Sequence, residues 1–138
     1  MARDIIHNEV RTSLENDNWT ITHDPYSLYL EKRTLSIDLG GERVIAAEKG
    51  IEKIAVEIKS FLKESFIYDF YEAFGQYLVY LDFLEEQDPE RTLYLAVSED
   101  VFARKFKDDR DVLRICRKYN VKILIIDAQN QIIEQWIR

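Results

Sequence analysis

Two short, mostly apolar runs, Thr92–Val97 and Val121–Asp127, each follow a stretch of helical periodicity, and that pairing constrains the fold more than any other feature. Both runs suit strands buried within a sheet, so the helices before them must supply cover. The first helical stretch runs from Ser65, which can cap it, to about Leu84, with Phe66, Phe70, Ala73, Phe74, Tyr77 and Leu81 as its apolar side. The second runs from about Asp109 to Tyr119, after a short helix capped by Ser98. Upstream, Ile6, Val10 and Leu14 recur at helical spacing between Asp4 and Asp17. Extended segments follow at Trp19–His23 and Tyr26–Glu31, on either side of a turn at Asp24-Pro25. Leu35, Ile37 and Leu39 alternate with Ser36 and Asp38 as in a half-buried strand, which Gly40-Gly41 interrupts. Arg43–Lys49 and Lys53–Phe61 predict a hairpin around Gly50, and Gln131–Ile137 alternates as an edge strand. The order helix, β-meander, helix, strand, helices, strands describes one mixed α/β domain over residues 1–138, built on a mixed sheet.

Composition removes several classes of function. Apolar residues make up 46% and only four Gly and two Pro occur, which excludes disordered and collagenous chains. No apolar stretch approaches the ~20 residues of a membrane-spanning helix. The opening Met1-Ala2-Arg3-Asp4 turns charged without a signal-peptide core, so a cytoplasmic protein is expected. The single Cys116 rules out an internal disulfide framework and a multi-Cys zinc site. A net charge of -7 argues against DNA binding by charge alone, but the charge is uneven. Five acids and no base lie between Asp82 and Glu90, and eight bases stand against three acids between Arg104 and Lys122.

The strongest chemical signal lies in Ile54-Ala55-Val56-Glu57-Ile58-Lys59-Ser60-Phe61. Strand alternation places Ile54, Val56 and Ile58 on one face and Ala55, Glu57 and Lys59 on the other. A charge buried in an apolar strand costs several kcal/mol unless it is paired or binds a metal. A carboxylate there can hold Mg²⁺ through its oxygens, and a Lys two residues on can position a water or offset phosphate charge. The second carboxylate should come from the preceding strand: Asp38 is available, with Glu42 and Glu48 as rivals. An amphipathic strand carrying a solvated Glu-x-Lys pair has the same spacing, and that reading stays open.

Other residues invite plainer readings. His7 and His23 lack zinc-site spacing, and Cys116 falls on an apolar helical side as a buried thiol. Arg110, Arg114 and Arg117 at i, i+4 and i+7 make a basic helix face, either solvated or in contact with phosphate or an acidic partner. No nucleophile elbow, P-loop or dinucleotide-binding glycine motif is present.

The arrangement of a helix, a meander carrying Asp38 and then Glu57-x-Lys59, a helix and further strands resembles the PD-(D/E)xK nuclease superfamily. More closely, Ile21-Thr22-His23-Asp24-Pro25-Tyr26, Ile37-Asp38-Leu39-Gly40, Ile45-Ala46-Ala47-Glu48-Lys49-Gly50, Lys53–Phe61 and Gly75-Gln76-Tyr77 resemble the cyanobacterial XisH family, described as fdxN-element excision controlling factors. That resemblance runs from Asp4 to Trp136. It implies a restriction-endonuclease-like core and a role in programmed excision of a DNA element during heterocyst differentiation, with DNA, XisI and XisF as partners. By the same resemblance Asp38 and Glu57 would bind Mg²⁺, with Lys59 beside them, the first-helix acid would be Glu9, and the Gln after the motif would be Gln76. Ile37 stands where the superfamily pattern has Pro. Two roles are expected to compete: a Mg²⁺-dependent DNA-processing regulator, or an inactive nuclease-like subunit that binds a partner such as XisI. Gln131–Ile137, with Ile132, Ile133 and Trp136, is expected to lie at an interface in a homo- or hetero-oligomer.

Overall fold

The computed structural model describes residues 4–46 and 50–138. Its elements in chain order are α1 (His7–Asn16), β1 (Thr20–His23), β2 (Tyr26–Tyr29), β3 (Thr34–Ile37), β4 (Leu39–Ala46), β5 (Gly50–Ile58), α2 (Phe66–Gln87), β6 (Arg91–Ser98), α3 (Glu99–Val101) running into a π-helical turn (Phe102–Phe106), α4 (Arg110–Lys118), β7 (Ile123–Asp127) and β8 (Ile132–Ile137). Side chains cap three of the helices where the sequence places them. Ser65 Oγ accepts from the Tyr68 amide, Ser98 Oγ from that of Val101 and Asp109 Oδ1 from that of Val112.

Six strands form one sheet in the order β1-β4-β5-β6-β7-β8, and β2 and β3 pair in a separate two-stranded ribbon. β5–β6 and β6–β7 are parallel, while the other pairs are antiparallel. Parallel neighbours need a crossover, and helices fill both: α2 between β5 and β6, α3 and α4 between β6 and β7. Two successive crossovers of one hand, stepping the same way across the sheet, put α2 and α4 on the same face. Phe70, Ala73 and Tyr77 of α2 and Val112 and Cys116 of α4 accordingly share one core with Ala55, Leu93 and Leu95. On the other face, α1 buries Val10 and Leu14 against Leu39, Ile54, Val56 and Ile58. The buried Tyr77 hydroxyl fixes α2 to the sheet: it donates to the Leu93 carbonyl at 2.8 Å and accepts from the Lys122 amide at 3.1 Å.

The strand read over Leu35–Leu39 is in fact two strands divided at Asp38. In an unbroken strand residues 37 and 39 would share a face, but Ile37 enters the α2-side core and Leu39 the α1-side core. The chain therefore changes face at Asp38, where it leaves the ribbon for the main sheet. Gly40-Gly41 do not interrupt a strand, because both lie within β4. A Cβ on Gly40 would come within 2.9 Å of the Tyr26 ring and 3.1 Å of His23 Nδ1, so glycine there serves close approach. β8 is the expected edge strand, but Ile133 and Trp136 turn inward. Trp136 meets Tyr94 at 4.8 Å and Trp19 at 5.7 Å and is partly covered within the chain, while Ile132 stays 47% exposed.

Candidate functional site

β4 pairs with β5 so that Leu39 lies opposite Val56, which sets Asp38 level with Glu57. Two hydrogen bonds lock that meeting. The Ile58 amide donates to Asp38 Oδ2 at 2.7 Å, and the Asp38 amide donates to Glu57 Oε1 at 3.3 Å. Glu57 is only 7% exposed, and Lys59 on the same side of the chain brings Nζ to 3.7 Å from Glu57 Oε2. Burial raises the Glu57 carboxyl to about 8, helped by the negative charge of Asp38 and opposed by Lys59. Glu57 is therefore harder to ionise than an ordinary glutamate, because water is excluded and a second acid stands beside it. A hard divalent cation is the species that would favour ionisation of both groups and take their oxygens as ligands, so the donor set fits Mg²⁺.

The backbone after Lys59 is held on both sides. The Lys59 amide donates to the Ala96 carbonyl at 3.1 Å, and the Ser60 amide and hydroxyl both bond to the Asp4 carboxylate. Phe61 adopts a left-handed conformation with φ of 51°, which costs a non-glycine residue on the order of 1 kcal/mol or more. Its ring is clamped between Phe66 at 5.6 Å and Phe106 at 5.2 Å, and its carbonyl accepts from Lys105 Nζ. The turn points the chain away from the sheet and leaves an open cleft of about 400 Å³ whose lining includes Asp4, Lys59, Ser60, Lys63, Asp69 and Glu72.

α2 supplies the opposite wall. Glu72, Gln76 and Tyr80 follow one another at one-turn intervals. Glu72 lies on the cleft and pairs with Lys63 at 3.3 Å. Gln76 has its Oε1 buried without a hydrogen-bond partner, an acceptor facing no donor. Tyr80 is buried, and its hydroxyl is pushed up to about 12, first by burial and then by the charges of Glu57 and Asp38.

Of the residues expected from sequence, Asp38, Glu57 and Lys59 thus stand together, with Gln76 one turn from Tyr80. Glu9 does not join them by any hydrogen bond or ion pair among the described residues. It belongs to α1, which packs on the other face of the sheet, and its Oε2 is also buried without a partner. Glu42 pairs in register with Lys53 and lies 3.8 Å from Arg91, well along the strand from Glu57. Glu48 lies outside the described residues. His7 is a buried anchor: its Nε2 meets Asp24 at 2.9 Å, and Arg11 meets the same carboxylate at 2.6 Å, tying α1 to the turn before β2. Burial raises the Cys116 thiol to about 11, which leaves it inert. Arg110, Arg114 and Arg117 are exposed.

Sequence reasoning missed Tyr80, Asp4 and Lys105. Tyr80 was legible from the four-residue step after Gln76; the other two contacts depend on the turn at Phe61. It also missed a surface group, Glu99, Asp127 and Glu134, whose carboxylate oxygens lie within 4.8 Å of one another. Among the described residues no helix is long and apolar enough to cross a membrane.

A family model described as XisH protein matches residues 1–134. The crystal structure of an XisH family protein from Nostoc punctiforme is similar, with 38% identity and a TM-score of 0.86 over 98% of this chain and 100% of that one. The crystal structure of an fdxN element excision controlling factor protein from Anabaena variabilis is equally similar, with 38% identity and a TM-score of 0.86 over 99% of this chain and 100% of that one. Comparison with curated proteins gives no match.

Proposed function

Because this chain belongs to the XisH family, we propose that it is an excision controlling factor whose Asp38–Glu57–Lys59 site binds Mg²⁺ and acts on a DNA phosphodiester. The observation that carries the reading is the buried carboxylate pair: Glu57 is raised to about 8 and faces Lys59 beside an open cleft. A buried carboxylate perturbed by desolvation and a second acid, with its Lys59 partner lining a cleft, marks a candidate working site. Asp38 and Glu57 would hold the ion, which supplies Lewis-acid stabilisation of phosphate charge when bound. Lys59 would offset charge on the phosphate or position a water, and the Gln76 amide would orient one of these groups. The nuclease-like core, DNA, and XisI and XisF proteins as partners in programmed excision belong to the same proposal.

A second reading draws on a specific observation. Asp38 Oδ2 and Glu57 Oε1 are already bonded to backbone amides, and Lys59 faces Glu57. A pair so well satisfied serves equally as a structural latch in an inactive, partner-binding subunit. Calorimetric titration with Mg²⁺ and Mn²⁺ of the wild type and of Glu57→Ala separates them. Saturable binding by the wild type that the variant loses supports the metal site; no heat with the wild type rejects it.

A further inference from the structure

Three consecutive residues beyond the end of β5 are each held by a different element. The Lys59 amide donates to the Ala96 carbonyl of β6, and the Ser60 amide and hydroxyl donate to Asp4 ahead of α1. The Phe61 carbonyl accepts from Lys105 Nζ in the π-helical turn. β5 itself ends at Ile58, so no strand ladder requires the last two contacts. The nearby cations Arg104 and Lys107 are exposed, whereas Lys105 is half-buried. An ammonium normally keeps its charge in water, and here it turns inward onto a neutral carbonyl.

Two uncommon backbone features meet at that contact. Phe61 is left-handed with φ of 51°, a region that bulky residues rarely enter. The turn Phe102–Phe106 is π-helical, closed by the Lys107 amide on the Phe102 carbonyl at 2.9 Å. Each residue is about 100° of helical rotation, so an extra one in the turn decides which side chains face the end of β5. Those side chains are Phe106, whose ring meets the Phe61 ring at 5.2 Å, and Lys105. Packing of rings has no strict direction, whereas a hydrogen bond to the Phe61 carbonyl orients the peptide that carries it. Unfavourable backbone conformations persist where their surroundings over-determine them, and they gather at working sites. π-Helical turns gather there too. Both occur here within reach of Glu57 and Lys59.

We propose that Lys105 is a positioning residue for the site at the end of β5. By holding the Phe61 carbonyl it fixes the turn. That keeps Lys59 Nζ 3.7 Å from Glu57 and keeps open the cleft that Lys59, Ser60 and Phe61 line. The inference rests on the reading of that site as one that binds Mg²⁺ and acts on a DNA phosphodiester. Asp38 and Glu57 have their own lock through the Ile58 and Asp38 amides, and none of it involves Lys105. Loss of the Lys105 donor therefore leaves the ion's ligands in place and displaces Lys59. Displacements on the order of 1 Å are enough to slow a reaction about 100-fold. Turnover and metal affinity should then part company.

The test uses the full chain, Mg²⁺ and a labelled DNA duplex. Lys105→Met keeps the aliphatic stem and removes the donor, while Lys105→Arg keeps a charged donor. Lys105→Met is expected to retain the wild-type circular dichroism. It should bind Mg²⁺ within about twofold of wild type by calorimetry and lower kcat at least about tenfold, with a smaller change in KM. Lys105→Arg should recover most of that kcat. If Lys105→Met fails to fold, Lys105→Gln replaces it with the same expectations; a contact that no variant can lose without unfolding is structural, which overturns the proposal. Wild-type kcat in the folded variant also overturns it. So does a fall in kcat matched by an equal fall in Mg²⁺ affinity, which marks a general loosening, or a failure of Lys105→Arg to recover activity. All of these outcomes, with an active wild type, leave the reading of the site standing. A wild type that binds no Mg²⁺ or cuts no DNA overturns that reading, and this inference with it.

Discussion

Asp38 and Glu57 meet under the side chains of α2, whereas Glu99, Asp127 and Glu134 gather on the open surface where the start of α3 faces the β7–β8 turn. Both groups bring carboxylates close together, yet their chemistry diverges. At the buried pair, loss of water is the leading cause of a Glu57 carboxyl raised to about 8, with the Asp38 charge second. At the surface trio, Glu99 is raised first by the charge of Glu134, while Asp127 is lowered by hydrogen bonds from Asn130. Solvent screens the trio, so its mutual repulsion stays small and local. Proximity of acids is cheap on a surface; burial makes it a reservoir that a cation can relieve.

The comparison breaks most sharply on metal and activity. Glu57→Ala and Asp38→Asn should abolish any Mg²⁺-dependent stabilisation, read as a rise in melting temperature, which for an ion at a hundred times its Kd is worth about 2.7 kcal/mol. Any Mg²⁺-dependent cleavage of element-border DNA should fall on the order of 100-fold or more. Glu134→Gln should leave both unchanged. Equal losses in the two regions would show that the buried pair has no special standing.

Stability against pH sharpens it next. The folded-state pKa of Glu57 lies above its unfolded value of 4.5, so between about pH 4.5 and 8 the native chain holds a proton that the unfolded chain releases. The sign follows: stability is fully present below about 4.5, declines as pH rises, and has lost the whole contribution above about 8. At about 1.4 kcal/mol per unit the loss is on the order of a few kcal/mol. Urea melts of the metal-free protein at pH 5, 7 and 9 should show that decline, and Glu57→Gln should flatten it. If Glu57 is instead an ionised partner of Lys59, the variant loses on the order of 1–3 kcal/mol at pH 7 and the wild type shows no such decline.

The alternation of Ile54, Val56 and Ile58 against Ala55, Glu57 and Lys59 was readable from the sequence, because strand period is fixed by backbone geometry and the β5 core obeys it on both faces. The meeting of Asp38 with Glu57 was readable only as one choice among three acids, since hairpin register depends on where the chain changes face. That change occurs at Asp38 itself, and alternation on either side cannot reveal it. Arg91 was invisible for another reason. An Arg at a strand start reads as surface, yet it is buried, donating to the Ile54 carbonyl at 2.8 Å and to Asp88 at 2.9 Å. The surface trio joins residues distant in sequence, and only the assembled sheet brings them together.

Gln76 gives a smaller effect on the buried side. Its Oε1 is buried without a donor, so the native fold gains little from the amide there. Gln76→Leu removes an unsatisfied polar atom at similar volume and should leave metal-free stability unchanged or raise it by about 1 kcal/mol. If the amide orients a group at the site, the same variant lowers Mg²⁺-dependent activity without lowering stability. A clear loss of stability without any effect on activity would mark Gln76 as structural.

The smallest expected effect is on the surface side, and it tests whether burial rather than number of acids sets the difference. Glu99→Gln removes one of three like charges from a group open to water, where the charge of Glu134 is the leading influence on it. Relief of that repulsion favours the folded chain, while screening by water and salt keeps the gain slight. The melting temperature should therefore rise barely or not at all, and any rise should vanish at high salt. Its dependence on pH should match that of the wild type, because Glu57 remains to carry the decline between about 4.5 and 8. Parallel melts of Glu99→Gln and Glu57→Gln at low and high salt make the contrast direct. A salt-resistant change in the first variant as large as that in the second would mean that the trio is desolvated too, and that crowding of carboxylates rather than their burial governs both regions.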